Sequence, residues 1–237
     1  MSLKLNHDAI FIADSHFSCK SKGLLDYLTS LFASPPSQLI LMGDIAQILL
    51  GNLKNSIQSN IELLANLDRL EKQGTQIVWL EGNHDLFLHK IKRSNLLKQT
   101  LFIPRKQQPI KAIYHDKIYL LAHGDLFLSK RYELYIQTLT RIPKLLEIID
   151  YLSAGEIYSE LEKKLECKMI KNYPLGFFDF ASQRIALYQK YFQYPFHGII
   201  EGHFHIGKKL TLYGIQYISL PAFYFKQEGN KIATFLK

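Results

Sequence analysis

The chain has 237 residues, of which 47% are hydrophobic and 21% are charged. These proportions exclude a disordered chain, and the length allows one large domain or a domain that carries an insertion. The formal net charge is +8, and all of it lies in residues 86–131, where ten Lys or Arg accompany two Asp. This basic segment predicts an anionic partner, with a solvated basic face as the alternative.

Cys19 and Cys167 fit no spacing of a metal-binding or redox pair, which favours a reducing compartment. The first residues lack the basic and apolar regions of a secretory signal. No apolar run has the roughly 20 residues that are needed to span a bilayer. We therefore expect a cytoplasmic protein, and peripheral contact with the inner face of an anionic membrane is the alternative.

The first half of the chain alternates apolar, β-branched runs with patterns of helical periodicity. Strands are predicted at 9–13, 38–42 and 75–80, and helices with one apolar face at 24–31 and 57–70. This alternation indicates βαβ units and a sheet that is covered by helices.

The second half combines strands with a long helical stretch. A hairpin is predicted at 110–122, and further strands are predicted at 197–200, 209–213, 215–220 and 232–236. The residues between these two groups of strands have a helical pattern throughout. We therefore predict a core that contains residues 1–125 and 197–237, with a helical cap inserted at 126–196.

Five of the predicted strands end in side chains that can bind a metal ion. In open α/β sheets, sites form beyond the carboxyl ends of strands, so these side chains are expected to converge. Carboxylate, amide and imidazole donors suit divalent ions; Mn is the expected ion, with Fe, Zn and Mg as alternatives. Two ions about 3.5–4 Å apart can clamp the attacking and leaving oxygens of a phosphoryl displacement. The side chains are those of Asp14, His16, Asp44, Asn83, His84, His123, His203 and His205.

The motifs at these strand ends resemble, in their order, the five blocks of the calcineurin-like metallophosphoesterases. They are Asp14-x-His16, Gly43-Asp44, Gly82-Asn83-His84-Asp85, His123-Gly124-Asp125 and Gly202-His203-x-His205. The resemblance implies an α/β (α+β) fold in which a two-sheet β-sandwich is flanked by helices and the metals lie at the sheet edge. It further implies one ion held by Asp14, His16, Asp44 and His205, and a second held by Asp44, Asn83, His123 and His203.

By the same resemblance, His84 would be the catalytic residue, contacting the scissile phosphate or protonating the leaving group. In phosphoprotein phosphatases a carboxylate three residues after the bridging Asp orients this His, whereas Gln47 occupies that position here. An amide cannot stabilise an imidazolium by charge, so His84 is expected to be a weaker acid or to bind phosphate only. For Asp125, the sequence leaves open whether it accepts a hydrogen bond from His123 or begins the next turn.

The position of the helical insertion resembles that in UDP-2,3-diacylglucosamine pyrophosphohydrolases of lipid A synthesis. This resemblance implies a lipid-linked substrate that is cleaved to UMP and an acylated sugar phosphate. The chain departs from that group at His84, where Arg is usual, and at Phe204 and Ile206-Gly207, where Thr and Arg-Pro are usual.

Two features of the insertion bear on this substrate. Lys130 and Arg131 are candidates for phosphate binding together with Asn83 and His84, with a solvated helix start as the alternative. Several apolar side chains cover more than one helix face, which favours an acyl-chain groove or, alternatively, the cap's own core. These are Ile142, Leu145, Leu146, Ile148, Ile149, Leu152, Phe177, Phe178 and Phe180.

Two other functions remain open from the sequence. One is a phosphodiesterase or phosphatase that acts on nucleotides or nucleic acid, although the chain has no recognition module for nucleic acid, so such a partner is not expected. The other is a binding protein of the same fold that hydrolyses nothing. Loss of activity normally leaves gaps in the ligand set, and no ligand is missing from this sequence.

Overall fold

The structure is a computed structural model that describes residues 2–141, 143–153, 158, 160, 163–164 and 176–236. It has the mixed α/β fold that the sequence predicts. Two main sheets pack face to face, and helices cover the outer face of each sheet. Among the described residues, no helix combines the length and the apolarity that crossing a membrane requires.

The elements are numbered in chain order. The strands are β1 (Ser2–Lys4), β2 (Ile10–Ile12), β3 (Gln38–Leu41), β4 (Leu49–Leu50), β5 (Gln76–Leu80), β6 (Asp85–Leu86), β7 (Leu101–Ile103), β8 (Ile110–Tyr114), β9 (Lys117–Ala122), β10 (Gly198–Glu201), β11 (Lys208–Leu212), β12 (Ile215–Ser219) and β13 (Asn230–Lys231). The helices are α1 (Gly23–Leu31), α2 (Lys54–Ser59), α3 (Ile61–Lys72), α4 (Lys130–Arg141), α5 (Pro143–Leu152), α6 (Phe177–Tyr191), α7 (Phe223–Lys226) and α8 (Ile232–Phe235). Short 3-10 helices span Leu88–Ser94 and Arg105–Gln107.

The first sheet has the strand order β13-β2-β3-β5-β7, in which β2, β3, β5 and β7 run parallel. Its side chains alternate between two layers, as the period of a strand requires. Ile40 lies opposite both Phe11 and Val78, and all three point into the sandwich. The next residues along each strand, Ile12, Leu41 and Trp79, pack on the opposite face against α1 and α3.

The second sheet has the order β1-β8-β9-β10-β12-β11, and its central strands β9, β10 and β12 run parallel. Leu121, Ile200 and Ile218 complete the interior of the sandwich. Their neighbours Leu120, Ile199 and Tyr217 face outward and pack against α6. The central strands within each sheet are parallel. The loops that follow their carboxyl ends lie together at one end of the sandwich.

The C-terminal segment differs from the prediction. A strand is predicted at 232–236, but the structure pairs only Asn230–Lys231 with β2 and continues as α8. Ile232 is fully buried, and the Phe235 ring packs edge-on against Phe11 with ring centroids 5.2 Å apart. The spacing of three residues between these apolar side chains is helical, so both can reach the sandwich interior from one helix face.

A break also divides the helix predicted at 57–70 into α2 and α3. Asn60 lies at the break, and its side-chain amide donates hydrogen bonds to the carbonyl oxygens of Ile48 and Ser56. The contact with Ile48 ties the break to the loop after Asp44.

Two helices of the predicted cap contact different parts of the core. Helix α6 packs on the second sheet, where Ala181, Ile185 and Tyr188 are buried. Helix α5 lies near the two-stranded β4–β6 ladder, because Asn52 donates a hydrogen bond to the carbonyl oxygen of Pro143 at 3.0 Å. The boundaries of the core and the cap stay a prediction. Among the residues named for an acyl groove, Ile142 lies outside the described residues, and the side chains of Leu145, Leu146 and Ile149 lie outside the described part of the structure.

Candidate metal centre

The loops after five strands bring the predicted ligands to one end of the sandwich. Asp14 and His16 follow β2, Asp44 follows β3, Asn83 follows β5, His123 follows β9, and His203 and His205 follow β10. Five of these seven residues have positive φ angles, between 45° and 60°: Asp14, His16, Asp44, His203 and His205. This conformation is uncommon for residues other than glycine, and its concentration here marks loops whose shape is set by a site.

One group of donors contains Asp14, His16 and His205, whose ligand atoms all lie within 4.8 Å of one another. His205 Nε2 is 3.4 Å from Asp14 Oδ1. Among the described residues, neither ring nitrogen of His16 has a hydrogen-bond partner, and Asp14 Oδ1 accepts no hydrogen bond. Since buried polar atoms are normally paired, these atoms fit a metal ion that would complete them.

A second group contains Asp44, His123 and His203, again with ligand atoms within 4.8 Å of one another. His123 Nε2 lies 3.5 Å from Asp44 Oδ2, 3.4 Å from Asn83 Oδ1 and 3.2 Å from His203 Nδ1. Four donor atoms that converge at such distances can hold a divalent ion with mixed nitrogen and oxygen ligands.

Asp44 connects the two groups. Its carboxylate also lies within 4.8 Å of ligand atoms of His16 and His84. Oδ1 accepts a hydrogen bond from the backbone N–H of His84 at 2.9 Å. Gly82 makes this approach possible, because a Cβ atom at that position would lie 2.2 Å from Asp44 Oδ1.

The electrostatics of the centre favour a cation. Burial lowers the pKa of His16 and of His203 to about 4, so both imidazoles are neutral near pH 7 and their lone pairs can bind a metal. Burial alone would raise the pKa of Asp44, but the imidazole of His123 holds it well below its usual range. Burial would lower the pKa of His123, yet Asp44 raises it well above its usual value. The negative potential of the carboxylates, which raises the pKa of His123, would also attract a metal ion.

Backbone carbonyls orient two of the histidines. His123 Nδ1 donates to the carbonyl oxygen of Met42 at 2.9 Å, and His84 Nδ1 donates to the carbonyl oxygen of Gln47 at 2.7 Å. A carbonyl can only accept, so each contact fixes a ring with its proton on Nδ1 and leaves Nε2 directed elsewhere. The side chain at position 47 is therefore not the group that orients His84; the main-chain carbonyl of Gln47 makes the contact.

Asp85 has a role that the sequence did not assign. Its buried carboxylate accepts hydrogen bonds from the backbone N–H groups of Asp44, Ile45 and Gly82 and from the Trp79 indole, at 2.6–3.0 Å. Burial and the charge of Asp44 raise its pKa to about 6. Asp85 therefore holds the loop that carries Asp44 against the loop that carries Asn83. The only signal in the sequence is its position directly after the Gly-Asn-His motif.

Asp125 makes its contacts away from His123. Its carboxylate accepts hydrogen bonds from Arg105 Nε at 2.6 Å and from the Tyr132 hydroxyl at 3.1 Å. Arg105 also pairs with Glu133 of α4 at 2.7 Å. Asp125 thus joins the loop after β9 to the first turns of α4 rather than orienting the ring of His123.

A buried ion pair supports the loop that carries His203 and His205. Glu201 ends β10, and its carboxylate pairs with Arg184 of α6 and accepts hydrogen bonds from the hydroxyls of Tyr188 and Tyr217 at 2.6 and 2.7 Å. Arg184 also donates to the carbonyl oxygens of Leu126 and Gly124. The network therefore joins α6 to the loops after β9 and β10.

Lys130 and Arg131, the predicted phosphate-binding pair, occupy the first turn of α4, where both side chains are exposed. Glu133 of the same helix pairs with Arg105 and so connects α4 to Asp125. Phosphate binding by Lys130 and Arg131 stays a prediction.

The fold and the converging donors define a metal-dependent hydrolase of phosphate esters. The sequence profile of the calcineurin-like phosphoesterases matches residues 8–207, and the chain belongs to this family. Membership implies two divalent metal ions and confirms the predicted superfamily and enzyme class. No curated protein sequence matches the chain.

Three solved structures that are similar to the chain are distant from it in sequence. An archaeal phosphodiesterase is 11% identical with a TM-score of 0.42, and the alignment covers 94% of this chain and 98% of the other. The phosphopantetheinyl hydrolase of Mycobacterium tuberculosis is 14% identical, with a TM-score of 0.42 and coverages of 91% and 89%. A dimetal phosphatase from Danio rerio is 13% identical, with a TM-score of 0.42 and coverages of 90% and 87%.

Proposed function

We propose that the chain binds one divalent ion through Asp14, His16, Asp44 and His205 and a second through Asp44, Asn83, His123 and His203. The observation that carries this proposal is the position of Asp44 between two groups of donors whose ligand atoms lie within 4.8 Å of one another. When bound, such ions supply Lewis-acid activation of a phosphoryl group and of water. Manganese is the proposed ion, because the donors combine imidazole with oxygen.

His84 is the proposed catalytic residue. Its backbone is fixed by Asp44 and its Nδ1 by the Gln47 carbonyl, which leaves Nε2 for the scissile phosphate or the leaving-group oxygen. A ring held at two points loses little freedom when substrate binds, so it can donate a proton or hydrogen bond from a fixed position. Asn83, next to it, would contact the same phosphate.

The proposed substrate is a lipid-linked pyrophosphate, UDP-2,3-diacylglucosamine, cleaved to UMP and the acylated sugar phosphate. Exposed apolar side chains on α4 and α5 support a lipid moiety, and Tyr151 and Leu152 are 85% and 77% exposed. The basic segment 86–131, which includes Lys130 and Arg131, supports binding of the anionic diphosphate and peripheral contact with an anionic membrane.

Asp44→Asn tests the metal centre. The purified chain is stripped with a chelator and reloaded with Mn²⁺, and hydrolysis of bis(p-nitrophenyl) phosphate and of UDP-2,3-diacylglucosamine is measured. We expect the variant to lose at least about 100-fold in both activities, because even residues outside the ligand set cost 10–100-fold at metal sites. Metal analysis should show less than the wild-type Mn content.

Comparing the activities on the two substrates separates the alternative functions. Hydrolysis of the small diester without the lipid substrate would replace the proposal by a nucleotide-type phosphodiesterase. A chain that retains Mn²⁺ but hydrolyses neither would be a binding protein. Sedimentation with phosphatidylglycerol vesicles, compared with phosphatidylcholine vesicles, tests the membrane contact, which should weaken as salt rises.

A further inference from the structure

Helix α7 places two aromatic side chains beside the metal centre. It follows β12, and its backbone is attached to the loop after β2: Phe223 N–H donates to the Ala13 carbonyl oxygen at 2.8 Å, and Tyr224 N–H donates to that of Asp14 at 3.2 Å. The Phe223 ring is 2% exposed and packs edge-on against Tyr27 in the core. The position of Tyr224 is therefore fixed relative to Asp14.

The next two rings point away from the core. Tyr224 is 38% exposed and its ring centroid lies 6.5 Å from that of His16; Phe225 is 48% exposed and lies 6.1 Å from His205. The two rings meet edge to face, with centroids 5.3 Å apart and an interplanar angle of 89°. They form an exposed aromatic pair that borders one group of donors.

We infer that Tyr224 and Phe225 bind a nucleobase attached to the phosphate that is hydrolysed. This inference rests on the proposed phosphohydrolase function, because a phosphate at the donors brings its substituent next to these rings. Aromatic rings held by a fixed backbone stack on planar bases at little entropic cost. The Tyr224 hydroxyl can also donate to or accept from the edge of a base. The perpendicular arrangement offers one ring face for stacking and one edge that limits sliding.

The test compares two phosphates that differ in the base. Isothermal titration of the Mn²⁺-loaded full chain with UMP and with ribose 5-phosphate gives two dissociation constants. We expect UMP to bind about tenfold more tightly, a value within the range of base–aromatic stacking. Tyr224→Ala and Phe225→Ala should each remove most of this preference and leave the affinity for ribose 5-phosphate close to wild type.

Two further variants keep the test specific. Tyr224→Phe retains the ring and should keep most of the preference for UMP. Tyr213→Ala removes a ring that is 94% exposed in the turn between β11 and β12, and it should change neither affinity. Thermal unfolding of each variant shows that the fold is intact.

The outcomes separate this inference from the function on which it rests. Equal affinity of the wild type for the two ligands, or equal weakening of both in Tyr224→Ala, would overturn the aromatic site while leaving the hydrolase in place. If neither ligand binds and bis(p-nitrophenyl) phosphate is not hydrolysed, the inference fails together with the proposed function. An acyl-chain site would instead give a preference for long alkyl phosphates that the alanine variants remove.

Discussion

The two sheets support their halves of the metal centre by different means. On the five-stranded side, the Asp85 carboxylate accepts hydrogen bonds from three backbone N–H groups of the ligand-bearing loops and from the indole N–H of Trp79 in β5. On the six-stranded side, the Glu201 carboxylate pairs with an arginine and two tyrosines of neighbouring elements. Both carboxylates are fully buried.

The difference predicts different consequences of losing each acid. Asp85 accepts a hydrogen bond from the backbone N–H of Asp44, so its loss should displace a donor of both proposed ion sites. Glu201 holds Arg184 of α6, so its loss should leave a buried cation unpaired. Loss of Asp85 is therefore expected to affect mainly metal binding, and loss of Glu201 mainly the stability of the fold.

Glu201→Ala should have the largest effect. Arg184 is 4% exposed, and removing its carboxylate partner leaves an uncompensated buried charge. Breaking a buried ion pair in this way costs about 3–5 kcal/mol in the free energy of unfolding. Urea denaturation of the metal-free chain measures the change.

The matched control is Glu62→Ala. Glu62 pairs with Lys22 at 2.9 Å, but both side chains are more than half exposed, so the loss should be at most about 1 kcal/mol. Equal losses in Glu201→Ala and Glu62→Ala would show that the buried pair contributes no more than a surface pair. The Glu201–Arg184 pair would then not be what stabilises the six-stranded side of the centre.

Asp85→Asn should have the next largest effect, and it should appear in metal affinity. In the variant, an NH2 group replaces one carboxylate oxygen of Asp85 and faces N–H donors. The loop of Asp44 therefore loses part of its hydrogen bonding to residue 85. We expect Mn²⁺ affinity and kcat/KM to fall about 10–100-fold, as for other residues that orient metal ligands. Metal titration and steady-state kinetics on bis(p-nitrophenyl) phosphate measure both.

Asp125→Asn is the control for this variant. Asp125 is also buried and lies next to a ligand loop, but its partners are Arg105 and Tyr132. It should lower the free energy of unfolding and leave the Mn²⁺ affinity close to wild type. A loss of Mn²⁺ affinity as large as that of Asp85→Asn would mean that burial of an acid, rather than its contacts, sustains the site.

Much of the fold and of the donor set could be predicted from the sequence, because both depend on local patterns. Parallel strands such as β3 and β5 appear as short apolar runs, and the family's motifs stand directly at their ends. The hairpin of β8 and β9 is found at the predicted residues. The gathering of the donors into groups whose ligand atoms lie within 4.8 Å of one another follows from these strand ends.

The features that the sequence did not reveal depend on contacts between distant residues. Orientation of His84 by the Gln47 carbonyl involves a backbone atom, which no residue type can signal. The pairing of Arg184 with Glu201 joins a predicted cap helix to a core strand, and nothing in either segment identifies its partner. The helix at Ile232–Phe235 was predicted as a strand because four residues are too few to distinguish the two periodicities.

Glu81, which directly follows β5, provides a test through pH on the five-stranded side of the comparison. Its buried carboxylate accepts hydrogen bonds from the backbone N–H groups of Leu88 and Arg105. Burial raises its pKa from 4.5 to about 7. The folded chain therefore binds a proton at Glu81 that the unfolded chain has lost between pH 4.5 and 7. The stability contributed by protonated Glu81 is fully present below pH 4.5 and is lost as pH rises to about 7, by up to about 1.4 kcal/mol per pH unit.

Glu81→Gln isolates this contribution, because glutamine does not titrate. Unfolding of both proteins in urea and EDTA from pH 4.5 to 7.5 gives two stability curves, and their difference removes the other ionisable groups. We expect the wild type to lose stability relative to Glu81→Gln as pH rises, with the change complete just above pH 7. Parallel curves would mean that the N–H donors of Leu88 and Arg105 keep Glu81 ionised throughout, as the four donors of Asp85 are expected to do for that carboxylate at neutral pH.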